Sequence, residues 1–302
     1  MSRDYAIYDV FTSRKLAGNP LAVVFDAEGL DTISMQAIAR EFNLSETVFI
    51  GPVESPAHSA RLRIFTPARE LPFAGHPTVG AAIALAERAE GADSLDRVLV
   101  LEENVGPVRC VVRRADGPSF AEFDLPRLSS HVAGTFDPQA VADALLVSQA
   151  DIGFENHRLS VWSAGVPFLM VPVRDLGVAA SVRFDPVLWT RAVASGGDST
   201  LAAYVYCRAG SDHRSSFHAR MFAPDMGIAE DPATGAAAAA LSGAIHHFDQ
   251  LADGHHAFVI EQGVEMGRPS MIHLHIEAES GAIARARIGG EAVKIAGGRI
   301  DL

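Results

Sequence analysis

Basic residues are in short supply in this chain. Lys and Arg total 25 against 37 Asp and Glu, a net charge of −12. Nucleic acids and anionic membrane surfaces need a basic footprint, so neither is expected as a partner. The deficit still leaves room for a small anion, because a helix N-terminus can bind one on a protein of either sign. Cysteine is scarce too. Cys110 and Cys207 lie far apart and in no CxxC pattern, which fits a reducing compartment and gives thiol catalysis little support. No apolar run is long enough to span a bilayer, and Met1-Ser2-Arg3-Asp4-Tyr5 lacks the apolar stretch of a signal peptide. No GxGxxG or P-loop pattern marks a nucleotide site. The pairs His246-His247 and His255-His256 and the His273-x-His275 spacing find no Cys or carboxylate at familiar ligand spacing. The expectation is a cytoplasmic protein with no cofactor and no metal.

What is present is an ordinary core. Hydrophobic residues make up 48% and charged residues 21% of 302, enough for two domains or one large one. Strand signals fall at Tyr5 to Phe11, Leu21 to Phe25, Thr47 to Ile50, Arg61 to Phe65, Arg97 to Leu101, Val108 to Arg113 and Phe120 to Leu125. Helical spacing covers Ser34 to Phe42, with Asn43 as a left-handed stop, and a second helix runs from Pro77 to about Glu90, closed by Gly91. A loop-rich segment with Pro126, Gly134, Pro138 and Gly153 follows.

After it the series recurs. Ala17-Gly18-Asn19-Pro20 returns as Ala164-Gly165-Val166-Pro167, and Arg63-Ile64-Phe65-Thr66-Pro67 as Arg220-Met221-Phe222-Ala223-Pro224. His76-Pro77-Thr78-Val79-Gly80-Ala81-Ala82 returns as Asp231-Pro232-Ala233-Thr234-Gly235-Ala236-Ala237, and Leu101-Glu102 as Ile260-Glu261. The offsets are 147, 157, 155 and 159. Four ordered matches at nearly one offset read as an internal duplication. The expected architecture is α+β: two related domains, residues 1–126 and 127–302, each a barrel-like, mostly antiparallel sheet wrapped around a central helix. The C-terminal strand near 290–302 can pack on the first domain.

Asp231 reads as an N-cap, with Pro232 in the first helical position and a thin, buried helix of small residues behind them. His76 holds the same place in the first repeat. If the halves face each other, both helix starts enter one cleft and could bind a carboxylate-bearing small molecule. Glu46, just before a strand, is the third candidate: partial burial would suit it to acid/base work beside an imidazole. Taken singly, Glu46 also reads as a solvated loop residue and Asp231 as a helix cap and no more. The repeat is what joins them.

The stretches Tyr8-Asp9-Val10-Phe11-Thr12, Gly18-Asn19-Pro20-Leu21-Ala22-Val23, Ala39 through Thr47, Arg63 to Pro67, Phe73-Ala74-Gly75-His76-Pro77-Thr78, Glu230-Asp231-Pro232-Ala233-Thr234-Gly235, Gln262-Gly263 and Gly267-Arg268-Pro269-Ser270 resemble the PhzF family, named for a phenazine biosynthesis isomerase, across nearly the whole chain. The resemblance implies the two-domain fold of diaminopimelate epimerase and a homodimer. It also implies cofactor-free proton transfer on a compound such as trans-2,3-dihydro-3-hydroxyanthranilate. Glu46 would carry the proton, and His76 and Asp231 would hold and polarise the amino-acid-like end. Asn19, Ser45, Gly75, Thr234, Gly235 and Ala236 would line the substrate site, with the backbone at Gly75 and Gly235 on the carboxylate. Where the phenazine enzyme has a substrate-contacting serine this chain has Ala236. The departure leaves room for another substrate, for an epimerase or racemase of another small acid, or for a non-catalytic ligand- or partner-binding protein.

Overall fold

The computed structural model describes residues 2–89, 96–114 and 117–302, which divide into two compact units, Met1–Pro126 with Ile288–Leu302, and Arg127–Arg287. The first unit contains β1 (Ser2–Val10), β2 (Asn19–Val24), α1 (Thr32–Phe42), β3 (Glu46–Gly51), β4 (Ala60–Phe65), the short β5 (Glu70–Leu71), α2 (Gly75–Arg88), β6 (Arg97–Glu103), β7 (Gly106–Arg113) and β8 (Ser119–Asp124). Strands β1 and β2 are antiparallel, β2 and β3 parallel, β3 and β4 antiparallel, β4 and β6 parallel, and β6–β7–β8 an antiparallel meander. The chain's last strand, Ala282–Asp301, pairs with both β8 and β1 and closes the ring. Closure removes the exposed edges of an open sheet.

The interior of this barrel holds α2. Eleven of its residues are buried, among them Gly75, His76, Thr78, Gly80 and Ala82. Such a helix must be thin. A Cβ added at Gly80 would stand 2.5 Å from a Leu21 methyl and 2.9 Å from one of Val10, closer than side chains approach one another. Helix α2 starts two residues before the expected Pro77, which is its third residue. Proline is tolerated there because the first-turn N–H groups have no intrahelical partner. The expected end at Glu90 and Gly91 lies outside the described residues. Outside the barrel, α1 packs Met35, Ile38 and Ala39 on Val24, Phe49 and Phe65. Asp31 caps it through Ser34 N at 2.8 Å, and Asn43 ends it in the left-handed region at φ 50°.

The second unit contains β9 (Ser130–Val132), α3 (Pro138–Leu145), β10 (Ser160–Ser163), β11 (Pro167–Pro172), α4 (Leu176–Ser181), α5 (Pro186–Ala194), β12 (Ala202–Arg208), β13 (Phe217–Ala223), β14 (Ile228–Asp231), α6 (Gly235–Asp249), β15 (Gly254–Gln262) and β16 (Ser270–Glu279). Pairs β9–β10 and β10–β11 are antiparallel, β11–β12 parallel, β12–β13 antiparallel, β13–β15 parallel and β15–β16 antiparallel. That order repeats the first unit's, and α6 takes the place of α2. Eleven residues of α6 are buried. Gly243 is forced by packing: a Cβ there would lie 2.4 Å from the Trp162 ring.

The stretch expected to be loop-rich after Pro126 carries β9 and α3 instead. Asp137 caps α3 through Gln139 N, with Pro138 in its first turn. With α4 and α5 it buries Val141, Leu145, Ala179, Trp189 and Val193 against β11 and β12. Of the residues that suggested a loop, Pro138 opens α3, while Pro126 and Gly134 follow β8 and β9.

Candidate functional site

The first helix start draws on three elements of the first unit. Asn19, fully buried, opens β2; Glu46 opens β3, with Ser45 just before it; Gly75 and His76 open α2. His76 is 4% exposed, and its ring donates a hydrogen bond to the Pro20 carbonyl. Burial pushes it down to about 3, so the imidazole is neutral at physiological pH. A neutral imidazole has one N–H and one lone pair. With the N–H on Pro20, the lone pair is at Nε2, and Nε2 stands 3.3 Å from Glu46 Oε2. Two acceptors facing each other at that distance leave a place for one proton. A proton that reaches Oε2 gains a hydrogen bond to Nε2.

Behind this pair, Ala74 is the N-cap of α2 and makes no side-chain cap. The N–H groups of Gly75 and His76 therefore belong to an uncapped helix start, where an anion is favoured by both donors and dipole.

In the second unit the start of α6 is built differently from the expectation. Asp231 is not its N-cap. Asp231 ends β14, opposite Met221, and Thr234 is the N-cap, without a side-chain bond to the helix backbone. The Thr234 hydroxyl donates to Asp231 Oδ2 instead. Gln262 organises the turn. Its amide nitrogen donates to Asp231 O at 2.7 Å and Thr234 Oγ1 at 3.0 Å. Its amide oxygen accepts from Thr234 N at 3.2 Å and from the Tyr204 hydroxyl at 3.3 Å. Gly263, at φ +78°, lets the strand end pass the turn; a Cβ there would meet Pro232 O at 2.5 Å. Gly235 is buried, whereas Ala236, its neighbour in the first turn, is half-buried.

These backbones correct the repeat register. In each unit a strand residue, a proline, one further residue and an N-cap precede the first helical glycine: Leu71-Pro72-Phe73-Ala74-Gly75 and Asp231-Pro232-Ala233-Thr234-Gly235. The counterpart of His76 is Ala236, and that of Asp231 is Leu71. The sequence match paired Pro77 with Pro232 because small residues fill both helices and offer several equally good alignments. The match of Glu102 with Glu261 stands. Glu102 accepts from Glu54 N, Ser55 N and His58 Nδ1 at 2.8, 2.9 and 2.6 Å. Glu261 accepts from Ser211 N, Asp212 N and His218 Nδ1 at 2.8, 3.0 and 2.8 Å. Each carboxylate pins the loop that leads into β4 or β13.

Sequence reasoning saw Gln262 only within a motif and missed it as the organiser of the α6 turn. It named Thr78 only within a motif and did not single out Glu103, since the 2.7 Å contact between Thr78 Oγ1 and Glu103 Oε1 joins residues from separate elements.

Three comparisons bear on this arrangement. The sequence profile described as "Phenazine biosynthesis-like protein" matches residues 8–298. A protein of Mesorhizobium japonicum named only as an isomerase is 55% identical over 300 residues, 99% of either chain. The trans-2,3-dihydro-3-hydroxyanthranilate isomerase of Pseudomonas chlororaphis is 34% identical over 299 residues, again 99% of either chain. In fold, the crystal structure of a Bacillus anthracis phenazine biosynthesis protein of the PhzF family superposes with a TM-score of 0.90 over 100% of both chains, at 23% identity.

Proposed function

Because the chain belongs to the phenazine biosynthesis-like family, and its Mesorhizobium and Pseudomonas relatives are named isomerases, we propose that it moves a proton between carbons of a small cyclic amino- or hydroxy-carboxylic acid. The observation that carries this reading is the Glu46–His76 pair: a carboxylate oxygen 3.3 Å from the lone pair of a buried imidazole. Glu46 Oε2 takes the proton from one ring carbon, and the bond to His76 Nε2 steadies it there. The electron pair left behind moves through the adjacent unsaturated system, and the same proton is returned to a second carbon. Nothing is oxidised or reduced, and protein groups alone carry the proton. The N–H groups of Gly75 and His76 bind the substrate carboxylate, with Asn19 and Ser45 beside them.

On the resemblance, Asp231 is assigned to the substrate's amino or hydroxyl group and Gly235 to a second backbone contact, with Thr234 orienting Asp231. Ala236 offers a methyl where a serine would offer a donor. That difference favours a substrate other than the one named for the Pseudomonas relative. A homodimer is the expected assembly, checked by sedimentation. The two buried free thiols, Cys110 and Cys207, suit a cytoplasmic setting, and no helix among the described residues is long and apolar enough to cross a membrane.

The test is incubation in D2O with trans-2,3-dihydro-3-hydroxyanthranilate and a panel of cyclic amino and hydroxy acids, followed by NMR. Deuterium should enter the ring of at least one compound. Exchange with none of them would leave a ligand-binding protein on the same fold.

A further inference from the structure

Glu103 ends β6 with its side chain inside the first barrel, 4% exposed. Its Oε1 lies 2.7 Å from Thr78 Oγ1, and the same hydroxyl lies 2.7 Å from the Ala74 carbonyl. The carbonyl can only accept, and the hydroxyl has a single hydrogen. If that hydrogen goes to Ala74, the hydrogen in the Glu103 contact must come from Glu103. The other oxygen, Oε2, is buried with no hydrogen-bond partner among the described residues. That is tolerable for the carbonyl oxygen of an acid and costly for a carboxylate. The Thr78 hydroxyl from α2 faces Glu103, and the buried Cys110 thiol of β7 lies near enough to feel its charge. Asp124 of β8 and Arg109 of β7 are the other charged groups that act on that thiol.

The second unit shows what this position does. Glu102 and Glu261 occupy matching places, so the residue after each matches as well: Glu103 in the first unit, Gln262 in the second. Gln262, which cannot ionise, braces the turn at the start of α6. Glu103 reaches the start of α2, and the adjoining backbone helps, since Val105 N donates to Pro72 O at 3.0 Å.

We propose that Glu103 is a positioning residue that works as a neutral acid. It holds the Ala74–Thr78 turn, and through that turn His76, and its ionisation slackens the turn and lowers turnover on the alkaline side. Burial pushes the Glu103 carboxyl up to about 8. When its proton leaves to solvent, the carboxylate draws the Thr78 hydrogen toward itself and away from Ala74 O. No covalent bond other than the O–H is broken. The link to turnover rests on the proposed role of His76.

The test compares wild type with Glu103→Gln and Glu103→Leu between pH 6 and 10 by three readouts. An infrared band of a protonated carboxylic acid should fade near pH 8 in wild type and be missing from both variants. The His76 ring nitrogen shifts should bend at the same pH in wild type and run flat in Glu103→Gln. Deuterium exchange should fall about tenfold per pH unit above that point in wild type, hold level in Glu103→Gln, and be low at every pH in Glu103→Leu. A wild-type band that does not titrate between pH 6 and 10, or His76 shifts that bend alike in Glu103→Gln, would overturn the proposal. So would a basic limb of the same midpoint in that variant. If no compound exchanges at any pH, the isomerase reading fails, while the infrared and His76 readouts still decide the role of Glu103.

Discussion

At the start of α2 an imidazole occupies the second helical position; at the start of α6 a methyl does. The backbones around them repeat, and so do the carboxylates Glu102 and Glu261 that pin the neighbouring loops. The chemistry does not repeat. The first start sets a neutral imidazole 3.3 Å from Glu46 and is braced by Glu103, an acid. The second start sets Asp231 at a strand end and is braced by Gln262, an amide. Duplication supplied two uncapped helix starts, each suited to an anion. Divergence then set a carboxylate beside an imidazole at one start, and at the other a carboxylate that accepts from Thr234, with a methyl nearby. On the proposed function, the start of α2 is the one that moves the proton.

That asymmetry can be broken from the α2 side with the largest effect. Burial holds His76 at about 3, against an ordinary 6.5. The unfolded chain therefore binds a proton between those values that the folded chain refuses. Stability from this group is complete above pH 6.5 and is lost as pH falls toward 3, by roughly 5 kcal/mol at most. Urea midpoints at pH 7 and 4 should differ strongly in wild type and less in His76→Gln. The same variant should lose about 10²-fold to 10³-fold in exchange rate at pH 7, since it keeps a polar group but not the acceptor lone pair of the ring. Gln262 and Ala236, the counterparts in the second unit, titrate nothing.

From the α6 side, Gln262→Ala strips partners from the Asp231 carbonyl and from the Thr234 N–H. It should destabilise by about 2 to 3 kcal/mol, read as a lowered urea midpoint, and should raise KM more than it lowers kcat. Packing gives a smaller contrast. Gly80→Ala meets the ends of Leu21 and Val10, which can shift, whereas Gly243→Ala meets the rigid Trp162 ring. The first should cost about 1 kcal/mol and the second nearer 3, compared by thermal melts. Smallest is Ala236→Ser, which restores a donor at the second helical position. It should change kcat/KM by no more than about tenfold for any compound that exchanges. Its direction, compound by compound, reports which substrates present an acceptor there.

Much of this was legible in the chain. The stop at Asn43, the thin central helices and the Glu102/Glu261 match are local signals, fixed by backbone preference or by small residues with one use. The register of the two helix starts was not legible, because Pro72 and Pro77 both lie near Gly75 in a run of small side chains. Only the strand pairing of Leu71 and Asp231 separates the alternatives. The bracing by Gln262 and Glu103 was hidden for another reason. Each acts on a turn about 28 residues away in sequence, and the protonation of Glu103 follows from burial that no linear pattern records.

The most direct test sets Glu46→Gln beside Asp231→Asn in the D2O exchange assay, with the compound that wild type exchanges fastest. Glu46→Gln should lose roughly 10³-fold in kcat with KM little changed. Asp231→Asn should keep most of kcat and lose chiefly in KM. Exchange at the wild-type rate by Glu46→Gln, or a kcat loss confined to Asp231→Asn, would contradict the assignment of proton transfer to the start of α2.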